Sequence, residues 1–226
     1  MDILDRPIWS TLSTRHAQFA HGTARACRFD TDISPFASTM DDSDASIDEL
    51  GKLLSAVDEV MLLQRDPIVV PGNAVVEQTG EGVQMVASTF TYSAPGSFVP
   101  VQLGTADVAE MIELATLTRP GPFRSRTHEL GRFWGIRDKG KLVAMAGERM
   151  KQPGFTEVSG VCSHPDYRGH GWARLLSAHV ASLIVARGET PYLHAYASND
   201  AAIQLYESLG FRLRCEVHVA VLKSAG

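Results

Sequence analysis

The chain lacks the patterns typical of secreted, membrane-spanning and metal-binding proteins. Its 226 residues contain three cysteines and no Cys-x-x-Cys pair, which argues against a disulfide framework or a zinc site. The eight histidines show no His-Glu-x-x-His or similar ligand spacing, so no metal is predicted. No apolar run approaches the roughly 18 residues of a membrane helix, and the N-terminus lacks the regions of a signal peptide. We therefore expect a cytoplasmic protein that does not enter a membrane.

Clustered positive charge is also missing. Lys and Arg number 21 against 26 Asp and Glu, giving a net charge of −5, and no basic run indicates a nucleic-acid partner. Apolar residues make up 44% of the chain, enough for the core of one large domain or two small ones. Oligomeric state cannot be derived from these totals.

The first 95 residues show helix and strand patterns but no chemical motif. Residues 75–78 and 83–86 are apolar-rich and flank a glycine-containing segment at 79–82, which predicts a β-hairpin. Residues 92–97 have the composition of a linker. We therefore expect a divergent α/β region over 1–95, followed by a second domain over 96–226.

Beyond residue 98 the element order β-α-β-β-β-α-β-α-β-β predicts an α+β fold with a mixed sheet covered by helices. Within it, residues 168–173 read Arg-x-x-Gly-x-Ala, between a strand over 155–163 and a helix over 171–187. The glycines let the chain turn tightly and let a ligand approach the backbone. Unpaired N–H groups at the start of a helix favour an anion, most simply a phosphate.

Two segments together resemble a known family. Residues 161–173 resemble motif A of the GNAT superfamily of acyl-CoA N-acyltransferases, and residues 199–211 resemble its motif B, one helix and one strand later. The resemblance covers roughly residues 98–223 and is closest to the FR-type branch, which joins such a domain to a divergent N-terminal half. It implies a mostly antiparallel sheet splayed between its fourth and fifth strands, with helices on both faces. It leaves open that the N-terminal half is a degenerate copy of the same fold.

The resemblance also implies acetyl-CoA as co-substrate. Its pyrophosphate would lie on the turn, its pantetheine arm along the fourth strand, and a side chain after the fifth strand would contact it. The residues that match these positions are Val161, Cys162, Ser163, Arg168, Gly169, His170, Gly171, Trp172, Ala173 and Asn199. Two of them have alternative roles: Asn199 suits a helix N-cap, and Trp172 suits simple packing as well as a contact at the adenine end.

For catalysis, Tyr206 resembles the family's general acid in Leu-Tyr-x-x-x-Gly-Phe, although it also falls near the apolar stripe of its helix. A backbone N–H near Val161 would stabilise the oxyanion. Glu157 and Glu148 are candidate bases, and we expect Glu148 to point toward the same cleft if its hairpin is regular. The alternatives are that both are solvent-facing edge charges, or that no dedicated base exists.

Acceptor residues are expected in the loop between the first and second strands of the domain, at Phe123, Arg126 and His128, and on the fifth strand at His194. A solvated basic loop and a core or lid histidine are the alternatives. The family resemblance implies an N-acetyltransferase that acts on a small-molecule or peptide amine in a ternary complex. The competing hypothesis is a catalytically silent acyl-CoA-binding module.

Overall fold

Helices and strands follow one another along most of the computed structural model, which describes residues 2–92 and 99–225. The elements before residue 92 are α1 (Pro7–Leu12), β1 (Ala20–Gly22), β2 (Ala26–Phe29), β3 (Ala37–Thr39), α2 (Asp44–Leu54), β4 (Val60–Gln64) and β5 (Ala74–Val86). Those after residue 99 are β6 (Val101–Leu103), α3 (Val108–Thr118), β7 (Phe133–Asp138), β8 (Lys141–Gln152), β9 (Phe155–Ser163), α4 (Trp172–Ala186), β10 (Thr190–Tyr196), α5 (Asp200–Ser208) and β11 (Arg212–Ser224).

Eight of these strands form one mixed sheet in the order β4-β11-β5-β10-β9-β8-β7-β6. The pair β9–β10 is parallel, and the other neighbours are antiparallel. Strands β1, β2 and β3 form a separate three-stranded sheet. The predicted α+β class with a mixed, mostly antiparallel sheet is confirmed.

The predicted hairpin over residues 75–86 is wrong, because this segment forms the single continuous strand β5 between β10 and β11. Its glycines serve close packing rather than a turn. A Cβ built on Gly82 would lie 2.9 Å from the carbonyl oxygen of Ala195 and 3.1 Å from Cγ2 of Val217. Glycine inside a strand commonly marks such a close approach.

The predicted splay between the fourth and fifth strands of the C-terminal domain is present between β9 and β10. Their register runs from Thr190 opposite Phe155 to Tyr192 opposite Glu157 and then ends, so the strands part beyond Glu157. In the same part of β9, two residues, Gly160 and Val161, lie opposite one residue of β8. This β-bulge interrupts the ladder and redirects the backbone where the gap opens.

Helices cover both faces of the sheet, as the resemblance implied. α4 buries Leu176, Val180 and Ile184 at helical spacing against the face that carries Ala144 and Ala146 of β8. The alternate face of β8 packs against α3. None of the helices in residues 2–92 and 99–225 has the length and apolarity needed to cross a membrane.

Both proposed regions contribute to the main sheet, because β4 and β5 lie on either side of β11. The proposed boundary at residues 95 and 96 lies outside the described residues, as does the start of the strand expected at 98–103, which is seen over Val101–Leu103. The division into regions 1–95 and 96–226, and the idea of a degenerate second copy, therefore stay predictions.

Two glycines of β5 test why the strand is continuous. Gly82→Ala should lower the free energy of unfolding by about 1–3 kcal/mol, because the added methyl collides with backbone across the sheet. Gly80→Ala is the matched control, since its Cβ would meet only Cβ of Val219 at 3.9 Å, and it should leave stability unchanged or raise it by up to about 1 kcal/mol. Urea unfolding of the two variants measures the difference, and equal effects would contradict the packing explanation.

Candidate active site

A cavity of about 170 Å³ lies where β9 and β10 part, and it brings several predicted residues together. Val161 of β9, His194 of β10 and Asn199 and Tyr206 of the motif B segment all line it. The remaining wall comes from the chain before residue 92, from the loop after α3 and from β8, β10, α5 and β11: Phe36, Met61, Leu63, Gly82, Arg119, Pro120, Gly121, Pro122, Arg149, Ala195, Tyr196, Ala202, Val217 and Val219.

Tyr206 has features of a packed side chain and of a general acid. It is 8% exposed, and its ring packs edge-on against Phe211 with centroids 6.0 Å apart. Its hydroxyl makes no hydrogen bond within the described residues, although the side chain borders the cavity. Burial, with the nearby Cys162 adding to it, raises the pKa of Tyr206, so the phenol holds its proton at neutral pH and can act as a donor.

The glycine turn presents open backbone to solvent. Gly169 and Gly171 have positive φ angles of 84° and 74°, and a Cβ built on either would meet nothing within 4 Å. Gly171 is the N-cap of α4, and no side chain caps the helix. The first-turn amides therefore retain donors for an anion, and Ala173, in that turn, adds little bulk over them.

Aromatic side chains surround this turn. The Trp172 ring stacks on His170 at 4.9 Å and on Tyr167 at 5.7 Å between centroids. The Tyr167 hydroxyl donates a hydrogen bond to Asp138 at 2.9 Å. Arg168 is exposed. Packing of Trp172 is thus observed, and an adenine contact stays a prediction.

The end of β9 has one paired and one open edge. Cys162 and Ser163 lie opposite Met145 and Ala144 of β8, whereas their other edge faces the gap left by β10. Cys162 is buried, and burial raises the pKa of its thiol to about 11, so it is a packed thiol rather than a nucleophile.

Asn199 is the N-cap of α5, which is one of the two roles expected for it from the sequence. Its Oδ1 accepts a hydrogen bond from the amide of Ala202 at 3.2 Å and so caps α5. No hydrogen bond of Nδ2 is found within the described residues, and Asn199 lines the cavity. The cap therefore leaves a donor for a ligand.

Glu157 belongs to a buried charge network. Nε and Nη2 of Arg149 donate to its two oxygens at 2.7 Å each, and Nδ1 of His194 lies 2.8 Å from Oε1. Burial alone would raise the pKa of Glu157, but the charge and hydrogen bonds of Arg149 and then His194 outweigh it and hold the pKa at about 2. The carboxylate is therefore a weak base.

The network continues toward the N-terminus through Gln84. Its Nε2 donates to the carbonyl oxygen of Leu4 and lies 3.0 Å from Nε2 of His194. These contacts assign one tautomer, in which His194 donates from Nδ1 to Glu157 and accepts at Nε2 from Gln84. Neither ring nitrogen then has a free lone pair on the cavity side.

Glu148 does not line the cavity, contrary to the expected direction. It is 1% exposed, and its oxygens lie 2.8 Å from Nη2 of Arg187, just after α4, and 2.8 Å from Nζ of Lys151. The alternative that Glu148 and Glu157 are solvent-facing edge charges is wrong, because both carboxylates are buried.

The expected acceptor loop divides into two parts. Phe123 packs edge-on against Phe133 at 5.5 Å and lines an outer groove of about 260 Å³ that shares Arg119 and Tyr196 with the cavity. Arg126 instead pairs with Asp30 at 3.0 Å and with Glu129. His128 is half-buried and borders neither the cavity nor the groove.

Two arginines that line the cavity were not predicted from the sequence as site residues. Arg149 carries no motif, and the strand around it is buried from Leu142 to Met150, so no alternation marks its direction. Arg119 follows α3 in the left-handed conformation with φ 50°. The Arg-Pro-Gly-Pro sequence that ends α3 was the available signal for this second position. In residues 2–92 and 99–225, no group of three or more His, Cys, Asp or Glu side chains is placed to hold a metal ion.

Comparisons with known proteins agree with this geometry. The family model described as FR47-like protein matches residues 133–220. A putative GNAT-family acetyltransferase from Novosphingobium aromaticivorans is 39% identical, with a TM-score of 0.93 over 100% of both chains. A GCN5-related N-acetyltransferase from Kribbella flavida shares the fold, with a TM-score of 0.67 at 16% identity over 97% of this chain and 95% of that one.

Curated relatives match about a third of this chain. N-alpha-acetyltransferase RimI of Mycobacterium tuberculosis is 41% identical over 83 residues, which are 35% of this chain and 51% of the relative. The ribosomal protein bS18-alanine N-acetyltransferase of Escherichia coli K12 is 38% identical over 77 residues, 34% of this chain and 51% of the relative. The chain spans about half the length of these relatives.

The fold, the splay and the glycine turn are those of the GNAT class of proteins. The full-length match at 39% identity makes the assignment specific: the chain belongs to the GNAT family of acetyltransferases.

Removing the charge of Glu157 should be costly because it leaves Arg149 buried and unpaired. We expect Glu157→Gln to lower the free energy of unfolding by about 3–5 kcal/mol at pH 7, whereas Glu129→Gln, in an exposed pair with Arg126, should cost no more than about 1 kcal/mol. The folded pKa of Glu157, about 2, lies below the ordinary 4.5, so its stabilisation is present above pH 4.5 and is lost as pH falls toward 2. Chemical denaturation across this range should show the wild type and Glu157→Gln converging at low pH, and a constant gap would contradict the assignment.

Proposed function

We propose that this protein is an N-acetyltransferase that transfers the acetyl group of acetyl-CoA to a primary amine by direct attack in a ternary complex. The observation that carries the proposal is the position of Tyr206: its side chain lines the cavity where β9 and β10 part, and its hydroxyl makes no hydrogen bond within the described residues. Val161 of the β9 bulge lines the same cavity. The proposed proton donor, Tyr206, and the β-bulge of β9 therefore border the same cavity.

The residues present suit acetyl-CoA. The uncapped start of α4 supplies N–H donors for the pyrophosphate, and Gly169 and Gly171 leave space for it. The unpaired edge of β9 offers backbone hydrogen bonds to an extended pantetheine arm, in the manner of an added strand. Acetyl-CoA supplies the activated acyl group. Asn199 contributes a side-chain amide at the far side of the gap.

Different groups of the protein carry out the separate steps of the reaction. The backbone N–H at Val161 stabilises the oxyanion that develops on the acetyl carbonyl, and Tyr206 donates its proton to the departing thiolate. Glu157, with its low pKa, acts as a positioning residue for Arg149 and His194 rather than as the base. Since Glu148 lies outside the cavity, the amine loses its proton to water.

The acceptor is proposed to enter from the side of the chain before residue 92. Phe36, Met61 and Leu63 form that wall, so region 1–95 shapes the acceptor site of the acetyltransferase domain over 96–226. The names of the curated relatives specify amines, including the alanine of a ribosomal protein. This supports an amine as the acceptor class.

Two glycines with similar positive φ angles, Gly171 and Gly188, test the proposed pyrophosphate site. Gly171→Ala should raise the Kd of acetyl-CoA at least about tenfold, because a methyl group would block the approach of the pyrophosphate to the amides. Gly188→Ala is the control, since Gly188 has φ 76° and equally open surroundings at the other end of α4. Both variants should lose similar stability, about 1–2 kcal/mol. Calorimetric titration with acetyl-CoA measures the difference, and an equal Kd in both variants would argue against this site.

Tyr206→Phe separates an enzyme from a silent acyl-CoA-binding module. In the enzyme, kcat should fall about 10²-fold or more while the Kd of acetyl-CoA is unchanged, because only the proton donor is removed. Tyr92→Phe is the control: its buried hydroxyl has no hydrogen-bond partner in the described residues, and it lies beside α4 away from the cavity. CoA release with a panel of amines measures kcat. Acetyl-CoA binding without turnover of any amine would favour the silent module.

A further inference from the structure

Positive charge without a matching carboxylate distinguishes the acceptor side of the cavity. The described residues that line the cavity include two arginines, Arg119 and Arg149, and no Asp or Glu. Glu157 neutralises Arg149 from behind, through Nε and Nη2. The side chain of Arg119, which is exposed, makes no hydrogen bond or ion pair within the described residues. The wall therefore carries one uncompensated positive charge.

Arg149 also retains donors on the cavity side. The residue is 8% exposed, its Cζ lies 4.8 Å from the centroid of the Phe36 ring, and its Nη1 makes no hydrogen bond within the described residues. A Cβ built on Gly121 would lie 3.7 Å from this Nη1. Gly121 belongs to the same wall as Arg119. The free amino group of Arg149 thus faces the segment that carries Arg119.

The part of this wall that β4 and β11 contribute is apolar. Met61 of β4 and Val217 and Val219 of β11 line the cavity, and the two ring nitrogens of His194 are occupied by Glu157 and Gln84. A second ammonium group would be repelled by Arg119 and would find no carboxylate partner here. A carboxylate would gain charge-assisted hydrogen bonds from guanidinium groups.

We propose that the acceptor is a small primary amine that carries a carboxylate and an apolar body, such as an apolar α-amino acid, with the carboxylate bound by Arg119 and Nη1 of Arg149. This inference rests on the proposed acetyl transfer and narrows its substrate class. It does not use Arg126, one of the expected acceptor residues, because Arg126 is already paired with Asp30 and Glu129. It disfavours polyamines and lysine-rich peptides as acceptors.

The test compares acceptors that differ in one charge. Leucine, leucinamide and putrescine are offered to the wild-type protein with acetyl-CoA, within a panel that includes all twenty amino acids, and CoA release and product mass are recorded. We expect kcat/KM for leucine to exceed that for leucinamide at least about tenfold, the effect of a hydrogen-bonded charge. The amide has the less basic amine and hence more of the reactive neutral form, so this preference would oppose intrinsic reactivity.

A variant of Arg119 then tests whether this residue causes the preference for a carboxylate. Arg119→Asn keeps a residue that tolerates the left-handed conformation and should raise KM for leucine at least about tenfold, with the Kd of acetyl-CoA unchanged. The control is Arg124→Asn, in the same loop, where the exposed Arg124 pairs with Glu59 at 3.3 Å. This control should keep KM for leucine within about twofold, the size of effect expected at an exposed pair.

The outcomes separate this inference from the proposed function. If leucinamide or putrescine is acetylated as well as leucine, or if Arg119→Asn behaves like Arg124→Asn, the carboxylate site is overturned while acetyl transfer stands. Acetyl-CoA binding without turnover of any of the twenty amino acids also overturns it. If calorimetry detects no acetyl-CoA binding to the wild-type protein, the proposed function itself fails.

Discussion

The buried ion pair between Arg149 and Glu157 is the interaction on which the site depends. Glu157 lies opposite Tyr192 at the last paired position of β9 and β10, so the pair occupies the vertex of the gap. Through His194 the same carboxylate is tied to β10, and through Gln84 the network extends to β5. A charge pair of this kind contributes little net stability against an apolar substitute, but it tolerates few alternative arrangements. Together these contacts link β8, β9, β10 and β5 at the position where β9 and β10 separate.

The second constraint is the insertion of β5 between β10 and β11. It brings a segment from the chain before residue 92 into hydrogen-bonded contact with strands more than a hundred residues later. As a result, Gly82 and the apolar side chains of β4 form part of the same cavity as Tyr206. The proposed donor side is built by segments close together in sequence, whereas the acceptor side needs strands from both ends of the chain.

This difference explains what the sequence could predict. The glycine turn and Tyr206 each lie in a motif that is one unbroken stretch of sequence. The backbone geometry that each motif requires depends on neighbouring residues in the chain. The direction of Glu148 could not be derived, because the strand is buried on both faces and lacks the polar–apolar alternation that marks a face. The glycines of β5 were misinterpreted because glycine serves turns and close packing alike, and only the partner strand distinguishes them. Arg149 was missed for a related reason, since its partner Glu157 is on another strand.

The position of β11 in the sheet has a consequence for the biosynthesis of the protein. β4 and β5 both pair with β11, so each exposes an unpaired edge while the intervening residues are translated. Contacts of such long sequence separation form slowly, and open strand edges promote association between chains. The nascent protein cannot complete its central sheet until β11 has been synthesised. The edges that β4 and β5 present to β11 therefore stay open to association with other chains while the residues between β5 and β11 are synthesised.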